Sequence, residues 1–171
     1  MMMRRFARRR DGSLDVTLER PELELIRDLP DQLRALYEGE RDDPARERLF
    51  PRAYLDPTEE QAEQEWQELV HPDLMAGRLE ALERLAATLD GAESARRDRV
   101  VVHVGPDDVS AWLSVLNDAR LALGTRLGVT DETEVAEVTA DDPNAPIVAA
   151  YTWLTYLEGE LVETLLGDLP K

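Results

Sequence analysis

The side chains that carry most enzyme chemistry are scarce in this chain. Its 171 residues include no cysteine and two histidines. Thiol nucleophiles, thiolate zinc sites, iron–sulfur clusters and disulfides are therefore excluded for it. His71 and His103 lie far apart, and neither belongs to an H-E-x-x-H pair, so no zinc site is expected. His103 sits in the apolar run VVVHV and reads as a core or sheet residue. His71 precedes Pro72 at a helix break and reads as structural. The acids pair at Asp42-Asp43, Asp107-Asp108 and Asp141-Asp142, but adjacent carboxylates hold a hard cation only where further oxygens converge. None of the three has the spaced oxygens and internal glycine of an EF-hand loop, and two precede helices, where acids favour the positive end of the dipole. The phosphate loops G-x-x-x-x-G-K-[ST] and G-x-G-x-x-G and the nucleophile elbow G-x-S-x-G are missing. The expectation is a protein that is not an enzyme, with no catalytic, cofactor-binding or metal-binding residue.

The polar residues with most promise lie in residues 107–128. There Asn117, Asp118, Arg120 and Arg126 interrupt an apolar run. Asn117 and Arg120 stand three apart and share a helix face. Arg120 follows the Trp112–Leu116 stripe closely enough to be partly buried, and a buried guanidinium without an acceptor costs several kcal/mol. Glu158 or Glu160 on the last helix is the expected partner. Two readings stay open for this set: a polar network that fixes helix register, or a recognition site for a partner.

These residues need a scaffold, and hydrophobic periodicity supplies one. Residues 3–18 read as a β-hairpin turning at Asp11-Gly12, with Leu14, Val16 and Leu18 on one face. Residues 21–37 are helical and are expected to divide at Pro30. Residues 40–57, with three prolines, read as an irregular loop carrying the apolar island 49–54. A helix from residue 58 ends at an apolar stripe of Trp66, Leu69 and Val70, and a second, from Asp73 to Leu89, carries Leu74 and Leu79 inward. Residues 100–104 form a strand that joins the hairpin in a three-stranded sheet. Residues 107–128 are the central helix, capped by Asp107 or Asp108 and closed at Gly128. A short helix is expected within 130–138, and a final one over 146–166. The fold class is mainly α with a minor sheet, in a single domain over 1–171.

Charge bounds the partners. The formal net charge is −17, from 20 basic and 37 acidic residues. Five of the arginines, Arg4, Arg5, Arg8, Arg9 and Arg10, fall in the first ten residues, leaving 15 basic against 37 acidic residues beyond them, a net of −22. The arginines are expected on the solvated face of the hairpin, a possible basic contact patch. The acidic body opposes phosphate binding and favours partners with basic surfaces. No apolar run approaches the ~20 residues of a membrane span, and no apolar h-region follows the N-terminal cations. A cytoplasmic location is expected.

Three motifs carry a family resemblance. Residues 112–128 (WLSVLNDARLALGTRLG), 151–157 (YTWLTYL) and 49–54 (LFPRAY) together resemble an actinobacterial family long labelled uncharacterised. Lys171 is the only lysine among the basic residues, an arginine bias in keeping with such a source. The family is typically encoded beside the adaptor of the Clp protease, and one branch is named for transcription regulation under oxidative stress, acting through thiols with a sigma-factor partner. The resemblance implies a regulator that binds a sigma factor or RNA polymerase. This chain departs from it in having no cysteine, which removes any thiol switch, and in having Glu158 where glutamine is expected. Nucleic-acid binding through the N-terminal arginines and an unrecognised carboxylate- or metal-dependent enzyme remain as alternatives. A homodimer through a leftover helix stripe is also expected.

Overall fold

A computed structural model describes residues 4–130, 135 and 137–167. Helices dominate, with a small antiparallel sheet. The elements run β1 (Phe6–Arg8), β2 (Leu14–Glu19), α1 (Arg20–Tyr37), α2 (Pro44–Leu49), α3 (Glu60–Leu69), α4 (His71–Asp90), β3 (Glu93–Ser94), β4 (Arg99–Val104), α5 (Val109–Arg126) and α6 (Ala145–Leu166). The strand order is β1-β2-β4-β3.

Alternation sets the sheet. Leu14 faces Val104, Val16 faces Val102 and Leu18 faces Val100 across the β2–β4 pair, and all six are buried. The opposite face is solvated and pairs Asp15 with His103. His103 is therefore a sheet residue on the outer face, where its ring Nδ1 lies 3.2 Å from Asp15 Oδ1. The β1–β2 turn differs from the expected two-residue form. Arg9 donates to the Ser13 carbonyl at 2.8 Å and Gly12 donates to the Arg9 carbonyl at 3.1 Å, leaving residues 10–12 as the loop. Gly12 closes it at φ +87°, a conformation that glycine adopts without a Cβ penalty.

The sheet has four strands, where three were expected. Strand β3 is two exposed residues that add to β4 through Glu93–Val101 and Ser94–Val100, too short and too polar to show a period of two. Pro30 does not divide α1. The stripe Leu23, Ile26, Leu29, Leu33 and Tyr37 is buried on both sides of it, and burial at roughly 1.5–3 kcal/mol per large side chain outweighs a proline cost of about 3 kcal/mol. The region 40–57 is not wholly irregular. Asp43 accepts from the Ala45 amide at 2.9 Å and Pro44 opens the first turn of α2, which buries Ala45 and Leu49. Residues 106–108 form a 3₁₀ turn ahead of α5, and neither Asp107 nor Asp108 caps α5 through its side chain. Residues 131–134 and 136 of the short helix expected in 130–138 lie outside the described residues, and Val135, Glu137 and Val138 are not helical.

Helix α5 is the centre of the packing and meets α1, α2, α4 and α6. Trp112 is fully buried. Its indole N–H donates to Thr88 Oγ1 at 2.9 Å, and that hydroxyl donates to the Leu85 carbonyl at 2.7 Å, so the buried polar atoms are paired. The C-terminus of α5 closes in a Schellman motif. Val129 donates to the Gly124 carbonyl at 2.8 Å and Gly128 to the Thr125 carbonyl at 3.1 Å, with Gly128 at φ +69°.

Candidate functional site

The polar residues of α5 divide between two places. Asp118 is buried and accepts from the Tyr37 hydroxyl at 2.6 Å. It also pairs with Arg78 of α4. Arg78 reaches on to the Leu49 carbonyl at 3.0 Å and lies 4.9 Å over the Phe50 ring. Arg46 covers the same ring at 5.4 Å and donates to the Tyr37 carbonyl at 2.9 Å. Burial and the Asp118 carboxylate push the Tyr37 pKa up, so the hydroxyl stays a donor. Burial opposes the charge on Arg78, yet the hydrogen bond and charge of Asp118 together with the Tyr37 oxygen outweigh it and hold the guanidinium above its ordinary pKa. This network fastens Leu49 and Phe50 of the apolar island to the core, while residues 51–54 stay exposed.

Asn117, Arg120 and Glu158 form the second group. Arg120 donates from Nε to Glu158 Oε2 at 2.5 Å and from Nη2 to Asn117 Oδ1 at 3.2 Å. Arg120 and Glu158 are partly buried, with 28% and 15% of their side chains exposed. Glu158, of the two acids expected for Arg120, is the one that meets it. Glu160 turns instead to β1, where it accepts from the amides of Arg5 and Phe6. Arg126 lies apart at the surface and donates to Asp43 Oδ2 at 2.7 Å. That bond holds the Asp43 carboxyl below its usual pKa.

The N-terminal arginines do not form one exposed patch. Arg4, Arg8, Arg9 and Arg10 are exposed, but Arg5 is partly buried against Glu22. Glu22 also accepts from Trp153 at 3.0 Å and from the Glu19 amide at 2.8 Å, so it ties β1, α1 and α6 together. Arg9 is paired with Asp15 at 2.7 Å. Arg8 Nη1 lies 3.4 Å from the Leu165 carbonyl.

The feature that sequence reasoning missed is the corner between α3 and α4. Leu69, Val70 and Leu74, expected to face inward, are 76%, 37% and 43% exposed. The chain turns at Val70, and in the first turn of α4 His71 packs on Phe50 while Leu74 stands in water. Residues 56–73 carry seven acids and no arginine or lysine. Among the described residues, Glu65 and Glu68 are met only by the neutral amides of Gln61 and Gln64, at 3.3 and 3.4 Å. Glu63 differs from its neighbours. It is buried, accepts from the Ala53 and Tyr54 amides at 3.0 and 2.9 Å, and accepts from Gln67 at 2.8 Å. It thereby ties the loop bearing Leu55, itself 83% exposed, to α3. A string of acids followed by leucines was the available signal.

Among the described residues, no three His, Asp or Glu side chains converge as metal ligands, and no helix is long and apolar enough to cross a membrane. No curated protein and no solved structure matches the chain. The model of one protein family, Domain of unknown function (DUF2017), matches residues 3–165, and on that span the protein belongs to this family.

Proposed function

We propose that this protein is a non-enzymatic regulator that acts by binding another protein, and that the partner docks on the α3–α4 corner. The observation that carries the reading is the exposed apolar group Leu69, Val70 and Leu74 beside Glu65 and Glu68, which among the described residues meet the neutral amides of Gln61 and Gln64 and no cation. Exposed leucines next to carboxylates that meet only neutral amides fit a partner with an apolar centre and a basic rim. The family resemblance points to a sigma factor or RNA polymerase as that partner, in a bacterial transcription or stress response. A second copy of this chain fits the corner less well, because two-fold pairing sets the same acids against each other. The N-terminal route to nucleic acid is weakened by the pairing of Arg5 with Glu22 and Arg9 with Asp15.

The test is direct binding of the purified protein to cognate RNA polymerase and its sigma factors, measured across a salt series. The expected result is an affinity that falls as salt rises and is lost in the double variant Leu69→Ser, Leu74→Ser. No binding at low salt, or equal binding by the double variant, refutes the assignment. A dimeric mass in light scattering that the same variant abolishes assigns the corner to self-association.

A further inference from the structure

We infer that the part of the partner that meets the α3–α4 corner is a basic amphipathic helix, seated along the ridge Ala62, Trp66, Val70 and Leu74 with Trp66 as its anchor. The inference rests on the docking reading above and deepens it, from a partner with a basic rim to the element that partner presents. Pro72 has no amide hydrogen, so the bond to the Glu68 carbonyl is missing between α3 and α4. Two backbone bonds nonetheless span the break. Val70 donates to the Trp66 carbonyl at 2.8 Å and Leu74 to the Val70 carbonyl at 3.2 Å. They hold Trp66, Val70 and Leu74 at the four-residue spacing of one helix face. Ala62 continues the row one turn earlier, and Leu69 stands exposed beside it. A row of residues four apart is the ridge that packs into the groove of a second helix. An extended peptide instead adds to a sheet edge, and the chain here is helical on both sides of Val70.

Two residues on this face have no account inside the molecule. The three tryptophans differ at their indole N–H groups. Trp112 donates to Thr88 and Trp153 to Glu22, whereas Trp66 has no acceptor among the described residues. It is half-buried on a helix whose one buried residue is Glu63, and it lies outside the hydrophobic core and the side chains packed on it. A tryptophan with an apolar body and a free polar edge is a common anchor of interfaces. Gly77, seven residues beyond Val70, opens the far end of the same face. A Cβ there meets no heavy atom within 4 Å, so nothing inside the protein calls for a glycine, which helices disfavour. The gap admits a second helix close to the α4 backbone. Charge sets the sign of that helix. Asp73 lies between Val70 and Gly77, exposed and with no ion pair to a described residue, and Glu65 flanks Trp66. Lysines or arginines beside the apolar stripe of the incoming helix meet both acids.

A Leu/Lys heptad peptide and a scrambled peptide of the same composition, each titrated into the full chain, test the inference by NMR of the indole N–H groups. The expected result is a saturable shift of the Trp66 indole with the heptad peptide, an unmoved Trp112 indole, and no saturable shift with the scrambled peptide. Gly77→Gln places a side chain in open space. It keeps or raises the urea midpoint, glutamine being the better helix former, and weakens binding of the heptad peptide about tenfold. A Trp66 indole that does not move, equal binding of the scrambled peptide, or binding that Gly77→Gln leaves unchanged overturns the inference. So does a Trp66 shift that grows with protein concentration alone, which assigns the ridge to a second copy of this chain. The docking reading fails separately, by its own test: polymerase and sigma factors that do not bind, or that bind the Leu69→Ser, Leu74→Ser variant equally.

Discussion

Helix α5 and the α3–α4 corner invert each other. In α5, polar side chains lie within an apolar core, and Asp118, Asn117 and Arg120 each have a partner. At the corner, apolar side chains stand in water, and Glu65 and Glu68 beside them meet only neutral amides among the described residues. A buried polar group that is fully paired explains itself by the cost of leaving it unpaired. An exposed leucine cluster has no such internal account. The comparison teaches that the polar residues of α5 serve mainly the fold, and that the surface leucines are the better marker of an interaction.

The comparison breaks most visibly at Asp118. Asp118→Ala leaves the Tyr37 hydroxyl and the Arg78 guanidinium without their shared acceptor. Removing one member of a buried pair costs 3–5 kcal/mol; Arg78 keeps about a quarter of its side chain exposed, so the loss expected in urea unfolding is about 3 kcal/mol. Tyr37→Phe removes a single donor and costs about 1 kcal/mol. A loss for Asp118→Ala no larger than that for Tyr37→Phe contradicts the shared-acceptor account.

How much of this was legible follows from distance along the chain. The Arg120–Asn117 contact was readable because three residues on a helix fix it, and Glu158 was one of two named acids on the helix expected to pack alongside. The partner of Asp118 was not readable. Arg78 lies 40 positions away, and its neighbours in sequence place it on no special face. Glu63 was hidden for another reason: Glu60 and Glu65 look identical to it until the 51–56 loop folds over α3. The α2 start was written in Asp43-Pro44, a cap followed by a first-turn proline, and three prolines nearby masked it. The inward placement of Leu69 and Leu74 failed because helical periodicity assigns an apolar face without saying whether anything covers it. The central helix and the sheet class were legible because each repeats its period over many residues.

Glu63 sharpens the comparison on the corner's side. Glu63→Ala strips acceptors from two backbone amides, and a buried unsatisfied amide costs about 1–3 kcal/mol. Solvent reaches this loop readily, so about 1 kcal/mol is expected globally. The larger change is local: the Ala53 and Tyr54 amides lose hydrogen-exchange protection while those of β4 keep theirs. Uniform loss across the chain would instead make Glu63 part of the global core. Smaller still is the stability effect of Leu69→Ser with Leu74→Ser. Exposed side chains contribute within about 0.5 kcal/mol, so urea midpoints should coincide with the parent. A loss above 1 kcal/mol (about one buried methylene's worth or more) would show that the corner is packed after all.

The smallest expected effect is a pH slope at the seam between the two regions. His71 opens α4, packs its ring 5.1 Å from Phe50 and leaves Nδ1 buried without a partner. Burial first, then the charges of Arg46 and Arg41, lower its pKa from the ordinary value. In the unfolded chain the imidazole titrates near about 6.5. Below that pH the unfolded state takes up the proton first, so stability falls as pH drops toward the depressed native pKa, and the slope ends there. His71→Phe keeps a ring on Phe50 and removes the titration, so the unfolding midpoint should stay level over this window. A separate loss, shared by parent and variant, belongs to lower pH. It appears as Asp15 and Asp43, held low by Arg9 and Arg126, are protonated. Matching slopes in parent and variant between neutral pH and the carboxylate range would mean that His71 meets solvent as freely in the folded protein as in the unfolded chain, and the seam would then belong with the exposed corner rather than with the α5 core.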